Sequence, residues 1–224
     1  MTKQQSQPHL DAIRAKLLAP MLLEAAFDGW TDTGLQRAAK QAGLHPGEVE
    51  LALPKGCIDL IRYWSLCNDA AMLAAWQAAK PETMRIREKA VFLVRARLQA
   101  IGEQHREAAR RAAARLSLPG TQDGPALAWA SADAMWRAMQ DSSTDYNYYS
   151  KRAILVAVFA STFHVWLQGD DARTWAFLDR RIGNIMQFEG MKAKWRKRAK
   201  NWPDPAKLLG RLRYGRGRSR PRRM

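Results

Sequence analysis

Apolar residues recur at helical spacing along almost the whole chain, and no convincing run alternates with the period of two that marks a β-strand. Glycine, proline and helix-capping residues divide this pattern into segments. The first three predicted helices cover residues 10–27, which end before Gly29, a short stretch capped by Thr31, and a third stretch from Pro46 to about Leu53. Longer helices are predicted at about residues 58–79, 83–116, 127–140, 146–168 and 172–202, with a break near Gly102 and a loop at residues 119–125. The sequence therefore predicts an all-α protein.

The order of these helices resembles the architecture of the TetR regulators, and so does the AAKQAGL sequence at residues 38–44. The resemblance implies a helix-turn-helix-like head over residues 1–55 and a helical ligand-binding body over residues 56–187. Residues 188–202 are predicted to form a separate amphipathic helix. Residues 203–224 form a Gly/Arg-rich tail of low complexity, which we expect to be disordered.

The predicted head lacks the charges with which a recognition helix binds DNA. Lys and Arg side chains supply affinity through the phosphates, and carboxylates oppose it. The candidate recognition helix, residues 45–53 (HPGEVELAL), carries Glu48 and Glu50 and no Lys or Arg. We therefore expect no sequence-specific binding to DNA. A TetR-type transcriptional regulator with an apolar effector is the alternative function.

Most of the net charge of +16 lies at the C terminus, because residues 192–224 contain 14 of the 37 Lys and Arg residues and one of the 21 acidic residues. At helical spacing, residues 188–202 place a narrow apolar stripe beside a strongly cationic face, a pattern typical of helices that lie on anionic membranes. The predicted membrane-binding residues are Phe188, Met191, Lys194, Trp195, Lys197, Arg198 and Trp202. The alternative is a basic tail that binds nucleic acid without sequence preference. No segment predicts a transmembrane helix.

A Tyr-rich segment, residues 141–152 (DSSTDYNYYSKR), leads into the next helix. The carboxylate of Asp145 suits the N-terminal end of a helix dipole. At helical spacing, one face carries Asp145, Tyr148, Tyr149 and Arg152. Aromatic residues beside a charged pair are typical of partner-binding surfaces. The alternative is that the tyrosines pack between helices while Asp145 caps the helix that begins near it.

This segment, the apolar helix after it (AILVAVFASTFHVWLQ) and the sequence TWAFLDRRI resemble the Coq-nine (COQ9) family of ubiquinone-biosynthesis accessory proteins. The KGxxDLxxxW pattern from Lys55 to Trp64 resembles it too. The resemblance implies a dimeric, TetR-like protein that binds isoprenoid quinone species in its helical body and associates with the di-iron demethoxyubiquinone hydroxylase. It places the four residues of the Tyr-rich face on the family's partner-binding patch. The family commonly has Trp where this chain has Tyr148, an aromatic residue of different size and polarity.

The helix predicted over residues 146–168 is apolar around much of its circumference, which favours burial. The family resemblance implies that this helix also borders a hydrophobic tunnel. The predicted lipid-binding residues are Leu155, Phe159, Phe163 and Trp166. No cofactor is expected other than a bound lipid or quinone precursor. The alternative is a core helix in a solid interior without a cavity.

No residue spacing in the chain points to catalysis. The four His residues are scattered without metal-ligand spacing to Cys57 or Cys67, and no phosphate-binding or nucleophile motif is present. Two cysteines fit a reducing compartment, and residues 1–10 lack the apolar run of a signal peptide. We therefore expect a non-catalytic accessory protein that binds no metal, located in the bacterial cytoplasm at the inner face of the cytoplasmic membrane.

Overall fold

The computed structural model describes residues 3–118, 122–140 and 146–200, and within them the side chains of residues 8–118, 122–140 and 149–185. The described residues form helices and turns with no β-strand, so the predicted all-α class is confirmed. The helices are α1 (Lys3–Asp28), α2 (Asp32–Gln41), α3 (Pro46–Ala52), α4 (Cys57–Ala78), α5 (Ile86–Ile101), α6 (Arg106–Leu116), α7 (Asp123–Ala138), α8 (Tyr146–Trp166) and α9 (Asp171–Lys200). The TetR-like arrangement stays a prediction.

Local signals in the N-terminal third set the ends of its helices. Gly29 follows α1 with a φ of +80°, a left-handed conformation that glycine adopts without strain. The Thr31 hydroxyl accepts a backbone N–H in the first turn of α2 at 3.1 Å and caps that helix, as predicted. At the start of α3, the Glu48 carboxylate accepts the backbone N–H of His45 at 2.8 Å. These caps explain why the boundaries could be predicted locally.

The exposed face of α3 carries no positive charge. Glu48 is held in the cap, while Glu50 and Leu51 point into solvent, Leu51 with 72% of its surface exposed. A helix that reads DNA needs cations near the phosphates. This surface does not favour the alternative of a DNA-binding regulator.

The N-terminal helices pack on the same core as the helices that follow them. α1 lies against α2, α3, α4 and α6, and the buried Trp30 donates its indole N–H to the carbonyl of Ala108 in α6 at 2.9 Å. Residues Met1–Ile182 form one compact unit, and Gly183–Met224 form another. The first unit therefore includes residue 55, the predicted end of the head. The fully buried side chains of the first unit include Leu17, Met21, Leu60, Met72, Leu93, Leu98, Met135 and Leu178.

Two helices, α4 and α7, lie side by side and run in the same direction, with contacts at regular intervals along both. Arg62 forms an ion pair with the first residue of α7. Two turns further along α4, Asp69 accepts the hydroxyl of Ser131 at 2.8 Å. Two more turns along, Trp76 donates its indole N–H to the carbonyl of Ala138 at 3.1 Å. These three contacts fix the spacing of two helices that both line the site described below.

Two breaks in the chain set the position of α6 and α7. Gly102 separates α5 from α6 with a φ of +81°, as predicted, and a 3₁₀ turn follows it. The predicted loop at residues 119–125 is partly wrong, because α7 begins at Asp123 and contains Gly124 and Pro125 in its first turn. Proline is tolerated there because the first N–H groups of a helix have no acceptor within it.

Both cysteines lie on α4, and both are free thiols. Burial raises the pKa of the Cys57 thiol to about 11, so this thiol is protonated at neutral pH. Cys57 donates weakly to the carbonyl of Thr31 at 3.3 Å. It is therefore a structural thiol that joins α4 to the start of α2.

Candidate functional site

A cavity of about 460 Å³ lies among α4, α5, α6, α7 and α8. Its volume is in the range of sites that bind small molecules. The lining residues that reach the surface include Ser117, Leu118 and Pro125, where α6 ends and α7 begins, and Leu118 is 55% exposed. The cavity therefore opens to the surface at this junction, which we call its mouth, and exposed Ala160 of α8 also lines it. This cavity does not agree with the alternative given above, in which the helix over residues 146–168 lies in a solid interior without a cavity.

Small side chains on three helices leave this space open. The alanines that line it are Ala109, Ala112 and Ala113 of α6, Ala128 of α7 and Ala160 of α8. Alanine has no atoms beyond Cβ, so these positions leave a volume that larger side chains would fill in a close-packed interior. Larger apolar residues complete the wall: Ile61, Trp64, Ile101, Leu116, Leu127, Phe159 and Phe163.

One end of the cavity is polar. Arg97 of α5, 4% exposed, forms an ion pair with Asp69 of α4 and donates to the Ser65 hydroxyl at 2.9 Å. The Ser131 hydroxyl donates to the same Asp69 carboxylate at 2.8 Å. These four residues, the polar cluster, carry no net charge because Arg97 and Asp69 compensate each other. Asn68 lines the cavity beside them.

Two of the four predicted lipid-binding residues lie in the wall of the cavity. Phe159 and Phe163 line it, with ring centroids 6.3 Å apart. Leu155 and Trp166 are buried elsewhere in the core, with 4% and 1% of their surface exposed. Trp166 packs against the guanidinium of Arg106, whose central carbon lies 4.6 Å from the ring centroid. The structure therefore brings only the two phenylalanines to the site.

The larger apolar residues of α8 from position 154 onward are buried or half-buried, as their pattern favoured, but one side of the helix is exposed. The exposed stripe consists of Ala153, Ala157, Ala160 and His164. Most of the apolar character on this side comes from alanine, which gains little free energy from burial. The larger apolar residues of α8 face the core and the cavity.

The predicted partner-binding residues have different environments. Tyr149 has 64% of its surface exposed. Arg152 is 2% exposed and forms an ion pair with Asp133 of α7 at 2.5 Å, so its side chain joins α8 to α7 and is turned away from any partner. Asp145 and the side chain of Tyr148 lie outside the described residues.

Two tryptophans of α7 that the sequence analysis did not single out extend the surface around Tyr149. Trp129 stacks on Tyr149 with ring centroids 6.3 Å apart. Trp136 donates its indole N–H to the carbonyl of Lys151 at 3.0 Å, and the Lys151 ammonium lies 5.4 Å from its ring centroid. We call these four residues the aromatic surface. Half-buried aromatic residues of this kind are enriched in protein interfaces. In the sequence, the seven-residue spacing of Trp129 and Trp136 already indicated that they share one face of a helix.

The side chains of the predicted membrane-binding residues lie outside the described part of the chain. The backbone of α9 is helical to Lys200. Six of the seven predicted membrane-binding residues lie on this helix: Phe188, Met191, Lys194, Trp195, Lys197 and Arg198. Trp202 lies outside the described residues. The orientation of the apolar stripe stays a prediction.

Neither a membrane-crossing helix nor a metal cluster is found in the part of the chain that the structure describes. No helix there is both long and apolar enough to cross a membrane. Likewise, no group of three or more His, Cys, Asp or Glu side chains among those residues could hold a metal ion. His105 instead packs edge-on against Trp64, with ring centroids 6.3 Å apart.

A sequence model of the COQ9 family matches residues 121–189. The matched segment comprises α7, α8 and the beginning of α9. It therefore contains both phenylalanines of the cavity wall and all of the aromatic surface.

Curated relatives match over most of the chain. The "Ubiquinone biosynthesis protein COQ9, mitochondrial" of Rattus norvegicus is 28% identical over 193 residues, which cover 80% of this chain and 60% of that protein. The protein of the same name from Drosophila melanogaster is 27% identical over 195 residues, 83% of this chain and 59% of that protein. The "Probable ubiquinone biosynthesis protein coq9, mitochondrial" of Dictyostelium discoideum is 23% identical over 187 residues, which cover 78% of this chain and 60% of that protein. The chain thus spans about 60% of the length of the first two.

The names of these relatives correct the predicted location. They are mitochondrial proteins of eukaryotes, which contradicts a location in the bacterial cytoplasm at the inner face of the cytoplasmic membrane. That prediction rested on two cysteines and on the composition of residues 1–10, and neither distinguishes these compartments. For the family itself, the matched segment and the similarity along four fifths of the chain confirm the resemblance seen in the sequence. The chain is therefore similar to the COQ9 family in residues 121–189 and, at 23–28% identity, to its curated members along about four fifths of its length.

Proposed function

We propose that this chain is a non-catalytic accessory protein of ubiquinone biosynthesis, which binds a polyprenylated quinone precursor and presents it to demethoxyubiquinone hydroxylase. The observation that carries the proposal is the cavity of about 460 Å³, which is apolar along its walls and polar at one end. Such a site matches an amphiphile with a ring head and a hydrocarbon tail. The pathway is suggested by the curated relatives, which are named ubiquinone biosynthesis proteins.

The walls favour a hydrocarbon tail because each CH₂ group that leaves water for apolar surroundings contributes about 0.8 kcal/mol. The mouth at Leu118 and Pro125 lets a tail longer than the cavity extend beyond it. Phe159 and Phe163 offer flat faces to an isoprenoid chain or to a ring. A solid interior would have offered none of these contacts.

The contacts with partners form the second part of the proposal. The aromatic surface lies in the segment that matches the family, and exposed Tyr149 stacked on Trp129 suits a protein partner, here the hydroxylase. The exposed stripe of α8 suits a homodimer, because small residues let two helices approach closely. The basic residues after position 188 suit an anionic membrane from which the lipid is taken.

Filling the cavity tests the proposal. Ala113 lines the cavity, whereas Ala114 is exposed and lies outside its wall. We expect Ala113→Phe to weaken binding of geranylgeraniol at least tenfold, because the new ring occupies the volume of the tail, and Ala114→Phe to bind as the unmodified chain does. Titration calorimetry measures both affinities, and thermal unfolding checks that both variants fold. Equal binding by the two variants would show that the lipid lies elsewhere.

A further inference from the structure

Asn68 is largely buried as a residue, but its amide atoms reach the open space of the cavity, where no group in the described part of the chain bonds to them. The residue has 6% of its surface exposed, and it lines the cavity. An amide offers donors and an acceptor at once, and buried polar groups in folded proteins almost always have partners. An amide that faces an open cavity bonds to water there, and it can exchange that water for a polar atom of a bound molecule.

The charges nearest to Asn68 in the wall are already compensated. The Arg97 guanidinium is bound by the Asp69 carboxylate, by the Ser65 hydroxyl at 2.9 Å and by the Ser65 carbonyl at 3.3 Å. It also lies 5.7 Å from the centroid of the Phe159 ring. An anionic head group here would have no cation of its own, and an uncompensated buried charge is strongly unfavourable. The polar end therefore suits a head group without charge.

The polar end and the mouth are separated by apolar wall. Along α7, Ser131 lies six residues beyond Pro125, which corresponds to about 9 Å at the helical rise of 1.5 Å. A bound amphiphile can therefore satisfy both ends only with its head inside and its tail toward the mouth.

We propose that Asn68 hydrogen-bonds the head group of the lipid, that this head group is uncharged and carries a carbonyl or hydroxyl oxygen, and that the cavity rejects anionic lipids. The inference rests on the proposed function and adds the residue that binds the head group, the orientation of the lipid and the exclusion of anionic lipids. The amide can donate to a carbonyl or exchange hydrogen bonds with a hydroxyl. The neutral polar cluster supports the amide without attracting a carboxylate or a phosphate.

Three probes with the same tail separate the head from the tail: geranylgeraniol, geranylgeranoic acid and the hydrocarbon that lacks a head group. Calorimetry compares the unmodified chain with Asn68→Leu, which has similar volume and no amide, and with Asn68→Gln, which restores one. Leu66→Ala, on the exposed side of α4, is the matched control. We expect Asn68→Leu to weaken binding of the alcohol about tenfold and to leave binding of the hydrocarbon unchanged. Asn68→Gln should recover part of the loss, and the acid should bind more weakly than the alcohol.

The outcomes distinguish this inference from the function on which it rests. An equal loss of alcohol and hydrocarbon binding in Asn68→Leu would overturn the inference, because the residue would then act only on the shape of the cavity. Binding of the acid as tightly as the alcohol would also overturn it. In both cases the cavity would still bind lipid, so the proposed function would stand. If the unmodified chain bound none of the three probes, the proposed function and this inference would both be rejected.

Discussion

One carboxylate, that of Asp69, joins three helices at the polar end of the cavity. It accepts hydrogen bonds from Arg97 of α5 and Ser131 of α7, and all three residues are buried. A buried ion pair offsets the cost of leaving water only when further hydrogen bonds satisfy its remaining donors and acceptors. Ser65 and Ser131 supply those bonds here. The polar end therefore joins three helices, besides being the place where we propose that the head group binds.

Replacing this carboxylate should destabilise the fold strongly. In Asp69→Asn, the buried Arg97 guanidinium loses its counter-charge, and we expect the free energy of unfolding to fall by about 3–5 kcal/mol. Glu107→Gln is the matched control, because Glu107 pairs with Arg110 and Arg111 where its side chain is 42% exposed. We expect that change to cost less than about 1 kcal/mol. Denaturant unfolding measures both values, and a loss in Asp69→Asn no larger than in the control would contradict the structural role of the pair.

The residues of the site could be predicted only in part, because local spacing does not report long-range pairing. The polar pair Asn68 and Asp69 in an otherwise apolar stretch of α4 was a visible signal of a buried polar site. Their neighbour Arg97 comes 28 residues after Asp69, on another helix, and nothing in the spacing connects them. For the same reason, the apolar pattern of α8 could not show that Phe159 faces the cavity while Trp166, seven residues on, faces the core.

At the scale of helices, the boundaries were predictable where a local feature sets them. Gly29 and Gly102 have positive φ, and the Thr31 hydroxyl caps α2. The prediction failed where a residue has two uses, since Pro125 suits a loop as well as the first turn of α7. The cavity itself arises from alanines on α6, α7 and α8. The sequence shows that those residues are small but not that they face one another.

The C-terminal part of α9 is the element that we expect to bind the membrane. Each basic residue near an anionic surface contributes about 1 kcal/mol, and the apolar stripe adds burial. Deleting residues 188–224 should abolish co-sedimentation with anionic vesicles. Deleting only residues 203–224 should leave part of it, because the amphipathic segment remains. Vesicles of neutral lipid are the control for charge, and equal sedimentation of the intact chain and the longer deletion would refute the assignment.

At the scale of the whole molecule, the helices from α1 to the first part of α9 form one unit around the cavity. The family was recognisable from the sequence because residues 141–182 carry a specific pattern, and the segment 121–189 indeed matches the COQ9 family. The location was not recognisable, because composition does not encode it. The chain spans about 60% of its first two relatives compared above, so the account of function rests on the cavity and on its chemistry.

The most direct test of this account is native mass spectrometry of the purified chain, with extraction and identification of any lipid that accompanies it. We expect one lipid per chain, uncharged and with an isoprenoid or similarly long apolar tail. We also expect this lipid to be missing from Ala113→Phe and present in Ala114→Phe. A chain that purifies without lipid under mild conditions and binds none of the added isoprenoids would contradict the central claim, and so would a lipid retained equally by both variants.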